Sequence, residues 1–394
     1  MDKILKIELE KYLVSFAIFT SILSFSPNTS ISGICGKLMY VFWGVTLILK
    51  FFQSKMQLNQ TVKYMFFTYA LFFVLCYFFY FMDFYPSPES GGAGKLGFCA
   101  IFYLIGYNYS WKEDISINLI LIVCTVAYLI ITYTSFTMSN EIHNSVIWNK
   151  NQLGQMLGGA MIFEVLIIPR KIKNTLIKIF LYFSGLISLI ALMNIRSRTP
   201  IIALVVIAVI IFVQKENKTR KDYGIAFLVI IAISLLILYM GGTDFLVELF
   251  DLESDSEMTT SESLNNITSG RLDWYKLAFQ DFLSSPIIGI GAYAYIDSFF
   301  ICTLRTGGIL MAIFVLPFVY GKMFKEFKKS NKIINSKEDF DNNVIYVMYI
   351  VRCFTIYFFV ISLMEGYPPL GPGTSVFLLW IFYGISDNIT KETC

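Results

Sequence analysis

Two arginines sit two residues apart in Ile195-Arg196-Ser197-Arg198-Thr199-Pro200, a polar turn between two apolar runs. A guanidinium is a planar, permanently charged fork that grips phosphate through parallel N–H donors. Pro200 suits the first turn of a helix, where its missing N–H costs nothing. The backbone amides and dipole of that helix then face an anion lying in front of it. The chemistry on offer is capture of a diphosphate. The bland alternative is that both side chains snorkel to lipid headgroups.

Arg271 follows Ser269-Gly270 at a predicted helix start, a second place where negative charge is favoured. Asp297 stands just before a long apolar run. A carboxylate there can take a proton from a sugar hydroxyl, or can simply cap the helix. Arg305 lies two helical turns further on, roughly 12 Å deeper along the axis. An intramembrane arginine faces a polar cavity or a partner rather than lipid. Arg352 poses the same question, with Glu164 a guess as its partner. Glu365 in Glu365-Gly366-Tyr367-Pro368 is a possible second carboxylate, and Asn151 a further possible site residue. His143 is the single histidine, which leaves no multi-histidine metal site. The seven cysteines show no CxxC pair and read as small hydrophobes.

These residues must be held by membrane helices. Of the 394 residues, 56% are hydrophobic and only 15% charged, well below the roughly 25% of soluble domains. Apolar spans are predicted at about 12–25, 33–52, 64–83, 96–109, 117–136, 153–169, 176–194, 200–213, 224–242, 299–320, 344–363 and 374–387. The fold class is therefore an all-α polytopic membrane protein of about twelve helices, a single membrane domain over 1–394. Lysine crowds alternate loops: Lys50, Lys55 and Lys63; Lys171 and Lys173; Lys215, Lys218 and Lys221; and Lys322, Lys325, Lys328, Lys329 and Lys332. The positive-inside rule makes that face, and both termini, cytoplasmic. Of the arginines, only Arg170 and Arg220 join the lysines. Arg196, Arg198, Arg271 and Arg305 fall on the other face, where insertion disfavours positive charge.

One large outer loop spans 243–298. Its first part is acidic and rich in Ser and Thr. In its second part Leu272, Tyr275, Phe279 and Phe282 recur at helical spacing, opposed by Asp273, Lys276, Gln280 and Asp281. This predicts an amphipathic helix at the outer interface of the bilayer. Pro286, Gly289 and Gly291 then set a turn, and Gly307-Gly308 permits close packing or a kink. Gly154, Gly158 and Gly159 read as a helix-packing seam.

The chain resembles the O-antigen ligases and Wzy-type polysaccharide polymerases. The resemblance rests on Asn149-Lys150-Asn151-Gln152-Leu153-Gly154 and on Ser197-Arg198-Thr199. Most specific is the order Thr268-Ser269-Gly270-Arg271, Pro286 to Gly291, Asp297-Ser298-Phe299-Phe300-Ile301, Leu304 and Gly308. It implies a GT-C-like helix bundle and a metal-independent, inverting glycosyltransferase with no cofactor. The implied donor and acceptor are polyprenyl-diphosphate-linked oligosaccharides at the outer face of a bacterial cytoplasmic membrane. Implied partners are the lipid bilayer and possible flippase and chain-length regulator proteins, with no nucleic acid. By resemblance, Arg198 and Arg271 hold the diphosphate. Ligases carry a His-Asn pair where this chain has Asp297-Ser298, so polymerization of O-antigen or capsule repeat units is favoured over ligation. A flippase or transporter of lipid-linked sugar is the remaining alternative.

Overall fold

A computed structural model describes residues 3–52, 56–86, 91–110, 114–144, 150–214, 271–291, 296–336, 340–371 and 375–393. Among them there is helix and no strand. The helices are α1 (Lys3–Leu23), α2 (Thr29–Phe52), α3 (Gln60–Phe81), α4 (Gly91–Tyr107), α5 (Asp114–Thr137), α6 (Ser139–Asn144) and α7 (Lys150–Met161). A π-helical segment, Ile162–Ile167, joins α7 to α8 (Ile168–Lys171). There follow α9 (Thr175–Asn194), α10 (Arg198–Gln214), α11 (Arg271–Ser284), α12 (Phe299–Ile334), α13 (Asn342–Met364) and α14 (Val376–Thr393).

Seven of these helices are long and apolar enough to cross a membrane: α2, α3, α5, the continuous α7–α8 rod, α9, α12 and α13. The shorter α4 and α10 are apolar as well. A helix stands at every predicted span except 224–242, which lies outside the described residues along with the acidic segment 244–262. Two boundaries need correction. The first helix begins at Lys3 rather than at 12, and α12 runs to Ile334. Lys322 to Lys332 therefore sit on a helical extension and not in a loop.

The interior is formed by α13 and α14, whose residues are mostly buried. Around them α2, α3 and α9 turn large apolar side chains outward, among them Phe52, Phe67, Phe81 and Leu176. Helices in lipid gain little from apolarity alone and associate by close packing. The bundle shows this at α4 and α14, where a side chain on Gly106 would overlap Ile381 O and one on Gly384 would overlap Tyr103 O.

Contacts between helix ends sort the bundle into two ends. At one, Lys50 binds Glu10 at 2.5 Å and Asn108 O. Gln57 N–H donates to Asn108 Oδ1 at 2.8 Å, and Lys391 binds Gln57. Tyr346 Oη–H donates to Arg170 O at 3.2 Å. Lys322 and Lys329 bridge Glu326 and Asp387 nearby, each within 2.5–2.8 Å. At the other end Ser26 meets Thr134, Asn194 meets Ser139, and Tyr128 meets Ser375. The turn bearing Arg196 and Arg198 lies at this second end. The division of lysine from arginine in the sequence is thus a division between two ends of one bundle.

The long helix α12 is broken at Gly308, where φ is 61° and ψ is −162°. Four backbone groups lose helical partners there and find others in the segment after α11. Ile290 N and Gly291 N donate to Arg305 O and Thr306 O, both at 3.0 Å. Ile309 N and Leu310 N donate to Pro286 O and Ile287 O at 2.9 and 3.0 Å. Irregular backbone at membrane depth is tolerated only where protein satisfies it in this way. Gly289 and Gly291 also have positive φ, 71° and 61°.

A side chain on Gly308 would overlap Ile287 O, whereas one on Gly321 in the same helix would meet nothing within 4 Å. Gly308→Ala should therefore lower stability by at least about 1–3 kcal/mol, from strain alone. Gly321→Ala should be neutral or stabilizing by up to about 1 kcal/mol. Thermal melts followed by fluorescence size-exclusion chromatography in detergent will compare the two.

Candidate active site

Ile195 caps α9, and the chain reverses through Arg196, which takes a left-handed backbone with φ 55°. Arg196 N and Ser197 N donate back to Met193 O and Leu192 O at 3.0 and 3.2 Å. Arg198 is then the first residue of α10, with Pro200 buried in its opening turn. Both arginines are half-buried. The turn is seated by α7, because Gly154 leaves room for Ser197: any Cβ there would overlap Ser197 Oγ. Ser197 Oγ is itself buried and has no hydrogen-bond partner among the described residues. The glycine seam read from the sequence is real. Gly158 admits Tyr357, whose hydroxyl donates to Gln155 O at 2.9 Å, and Gly159 lies against Ser375 and Tyr128. Asn151 lies half-buried in the first turn of α7.

A second unit is built by α11 on the start of α12. Arg271 opens α11. Tyr275 Oη–H donates to Asp297 O at 2.5 Å, which ties the helix to the approach of α12. Ser298, not Asp297, occupies the position that precedes α12. Asp297 is half-buried.

Arg305 is buried and donates through Nε at 2.7 Å and Nη2 at 2.5 Å to Asp281 Oδ2 on α11. This corrects the sequence reading, which put Asp281 on the solvent face of the amphipathic helix. Its position one turn after Ala278, which is also buried, turns it toward α12. Exposed along α11 are Asp273, Lys276 and Gln280, as the sequence reading has them, together with Trp274, Leu277, Phe279, Leu283 and Ser284. Arg305 Nη1 remains buried with no hydrogen-bond partner among the described residues.

Tyr85, in the loop after α3, braces this unit by donating its hydroxyl to Ile288 O and packing its ring over Gly291. Burial, with Cys76 nearby, pushes the Tyr85 phenol well above its usual range, so it stays a donor.

Glu365 is buried at the C-terminal end of α13. Tyr367 follows it, and Lys95 of α4 lies over the Tyr367 ring at 2.8 Å from its centroid. Lys95 is a cation at the arginine-bearing end that the sequence reading passed over. Its signal was there: a lysine just before α4 turns apolar, on the face where lysine is otherwise scarce. Lys95 and Arg305 both lie close enough to Cys302 to act on its thiol electrostatically.

Arg352 does not meet Glu164. It reaches Asn331 Oδ1 at 3.4 Å and the Tyr349 ring, while Glu164 faces hydroxyls elsewhere. His143 lies in α6, and Trp148, Asn149, Tyr293 and Tyr295 lie outside the described residues.

The profile of the O-antigen ligase family matches residues 183–312. The chain carries the domain of that family. The match is to that domain, and the described residues around it include helices long and apolar enough to cross a membrane. The match covers about a third of the chain and contains Arg196, Arg198, Arg271, Asp297 and Arg305, while Asn151 and Glu365 fall outside it. No curated protein matches the chain.

The Arg305–Asp281 pair should help to hold α11 against α12. Asp281→Asn leaves a buried guanidinium uncompensated, and about 1–3 kcal/mol of stability should be lost, less than for a fully buried pair because Asp281 is partly exposed. Arg305→Met with Asp281→Leu should restore most of it. A double-mutant cycle on melting temperature reads the coupling, and an additive cycle would show that the pair does not hold the helix.

Proposed function

We propose that the protein polymerizes repeat units of a surface polysaccharide at the outer face of a bacterial cytoplasmic membrane. The observation that carries this reading is that the family match encloses both arginine-bearing units, and both open at the lysine-poor end of the bundle. Under the positive-inside rule the lysine-rich end is cytoplasmic, with both termini there, so the arginines face outward.

The reaction joins two polyprenyl-diphosphate-linked oligosaccharides. A hydroxyl of one attacks the anomeric carbon of the other, the bond from that carbon to the diphosphate oxygen breaks, and configuration inverts. The leaving group departs as a multiply charged anion, so the largest demand is for positive charge fixed beforehand where that charge develops. Arg198 and Arg271 supply it, with Arg196 beside Arg198 and the dipole of α10 behind it. Arg305, held by Asp281, presents Nη1 as an unspent donor. Asp297 takes the proton from the attacking hydroxyl, a smaller contribution of about 10²–10⁴ in rate. Trp274, exposed on α11, offers a face for a sugar ring. Glu365 and Asn151 stand in reserve as contacts to the sugar chain.

Transfer of finished glycan to a different acceptor is the second reading, favoured by the description of the matched family as O-antigen ligase. Asp297 in place of a histidine favours polymerization. The two leave different products in cells: loss of a polymerase leaves one repeat unit on the acceptor, and loss of a ligase leaves the acceptor bare.

Arg198→Ala and Arg271→Ala should each abolish long polymer and retain single repeat units on gels. Long polymer in both variants would remove the diphosphate role. Purified protein given lipid-linked repeat units without added metal should produce a ladder, and Asp297→Asn should slow its formation by about 10²–10⁴.

A further inference from the structure

The mechanism leaves several buried ionizable groups unused, among them the carboxyl group of Glu164. Glu164 lies on the π-helical segment in the middle of the α7–α8 rod and is fully buried. Such segments widen one turn of a helix, and they recur at functional sites. Its carboxyl oxygens meet hydroxyls from two other helices: Oε1 meets Thr132 Oγ1 of α5 at 3.4 Å, and Oε2 meets Ser188 Oγ of α9 at 3.3 Å. Ser184, one turn before Ser188, lies near the carboxyl group.

No lysine or arginine among the described residues lies within ion-pairing distance of it. Arg352 on α13 turns to Asn331 and Tyr349. Arg170 of α8 stacks on Tyr349, and Lys171 binds Asn118 and Asn343. Lys150 and Lys178 lie in the first turns of α7 and α9, at opposite ends of the bundle. The other titratable groups on the packed elements, Cys124 and Tyr128 of α5 and Cys353 and Tyr357 of α13, are neutral at ordinary pH. An uncompensated carboxylate in such a place is costly.

A count of hydrogens decides what compensates it. Thr132 Oγ1 and Ser188 Oγ are 2.7 Å apart, a separation that requires a hydrogen between them. With the two contacts to Glu164, three contacts share the hydrogens of two hydroxyls. One hydrogen is missing.

We infer that Glu164, Thr132, Ser184 and Ser188 form a binding site for one monovalent cation inside the membrane, and that the spacing selects a proton carried by Glu164. The proton completes the hydrogen-bonded ring and ties α5 to α9, the helix that leads into the Arg196–Arg198 turn. The inference is independent of the transferase reading.

Infrared difference spectroscopy on the protein in lipid at neutral pH tests it. A protonated-carboxyl C=O band, absent from Glu164→Gln, is the expected result. Thr132→Val should shift that band by removing a partner, which keeps the test open if Glu164→Gln fails to fold. If the band is missing but added sodium raises the melting temperature of the wild type and not of Glu164→Gln, the cation is sodium and the site stands. Neither a band nor a sodium effect would overturn the site.

Discussion

A backbone group in the membrane must be hydrogen-bonded by protein, and the break at Gly308 makes that demand in the middle of the longest helix. The segment from Pro286 to Gly291 answers it with four backbone bonds. The placement of α11 follows from this pairing. It fixes where α11 ends, and thereby which way α11 faces. That orientation brings Tyr275 to Asp297 and Asp281 to Arg305. Tyr85 closes the arrangement from the far side of Gly291. The carboxylate and the deeper arginine are thus set by main-chain bonding, which tolerates less drift than side-chain contacts would.

The other arginines depend on a different constraint. Arg196 and Arg198 project from a turn whose position is set by contact with Gly154, and α7 approaches closely only because it lacks side chains along that seam. Asn151 and Gly154 come from a stretch outside the matched family segment. The candidate site therefore has a frame that extends beyond the residues by which the family is recognized.

Much of the bundle was legible because helix in a membrane leaves a strong apolar signal, as the agreement at 33–52, 176–194 and 344–363 shows. The amphipathic character of α11 was also legible, as were the glycine seam and the turn at Pro286 to Gly291. What could not be read was pairing at a distance. Gly308 looked like a kink, but the partner that satisfies the kink lies about twenty residues earlier and is invisible to periodicity. Asp281 was assigned to solvent for the same reason, since its partner Arg305 belongs to another helix. Glu164 was matched to Arg352 on charge alone. The structure instead surrounds it with serine and threonine, residues that carry no long-range signal in a sequence. Lys322 to Lys332 were read as loop because charge ends an apolar run, yet Glu326 and Asp387 neutralize Lys322 and Lys329 and the helix continues.

The contact between Gly106 and Ile381 has a bearing on how such a chain is made. Helices α4 and α14 fit backbone to backbone, yet about two thirds of the sequence separates them. Synthesis proceeds from the N-terminus, so α4 enters the bilayer long before its closest neighbour has been translated. During that interval its glycine face has only lipid, or some insertion factor, to lie against. Assembly of the interior is thereby deferred until α14 has been made, and a ribosome that stops short of it leaves a bundle with an open seam.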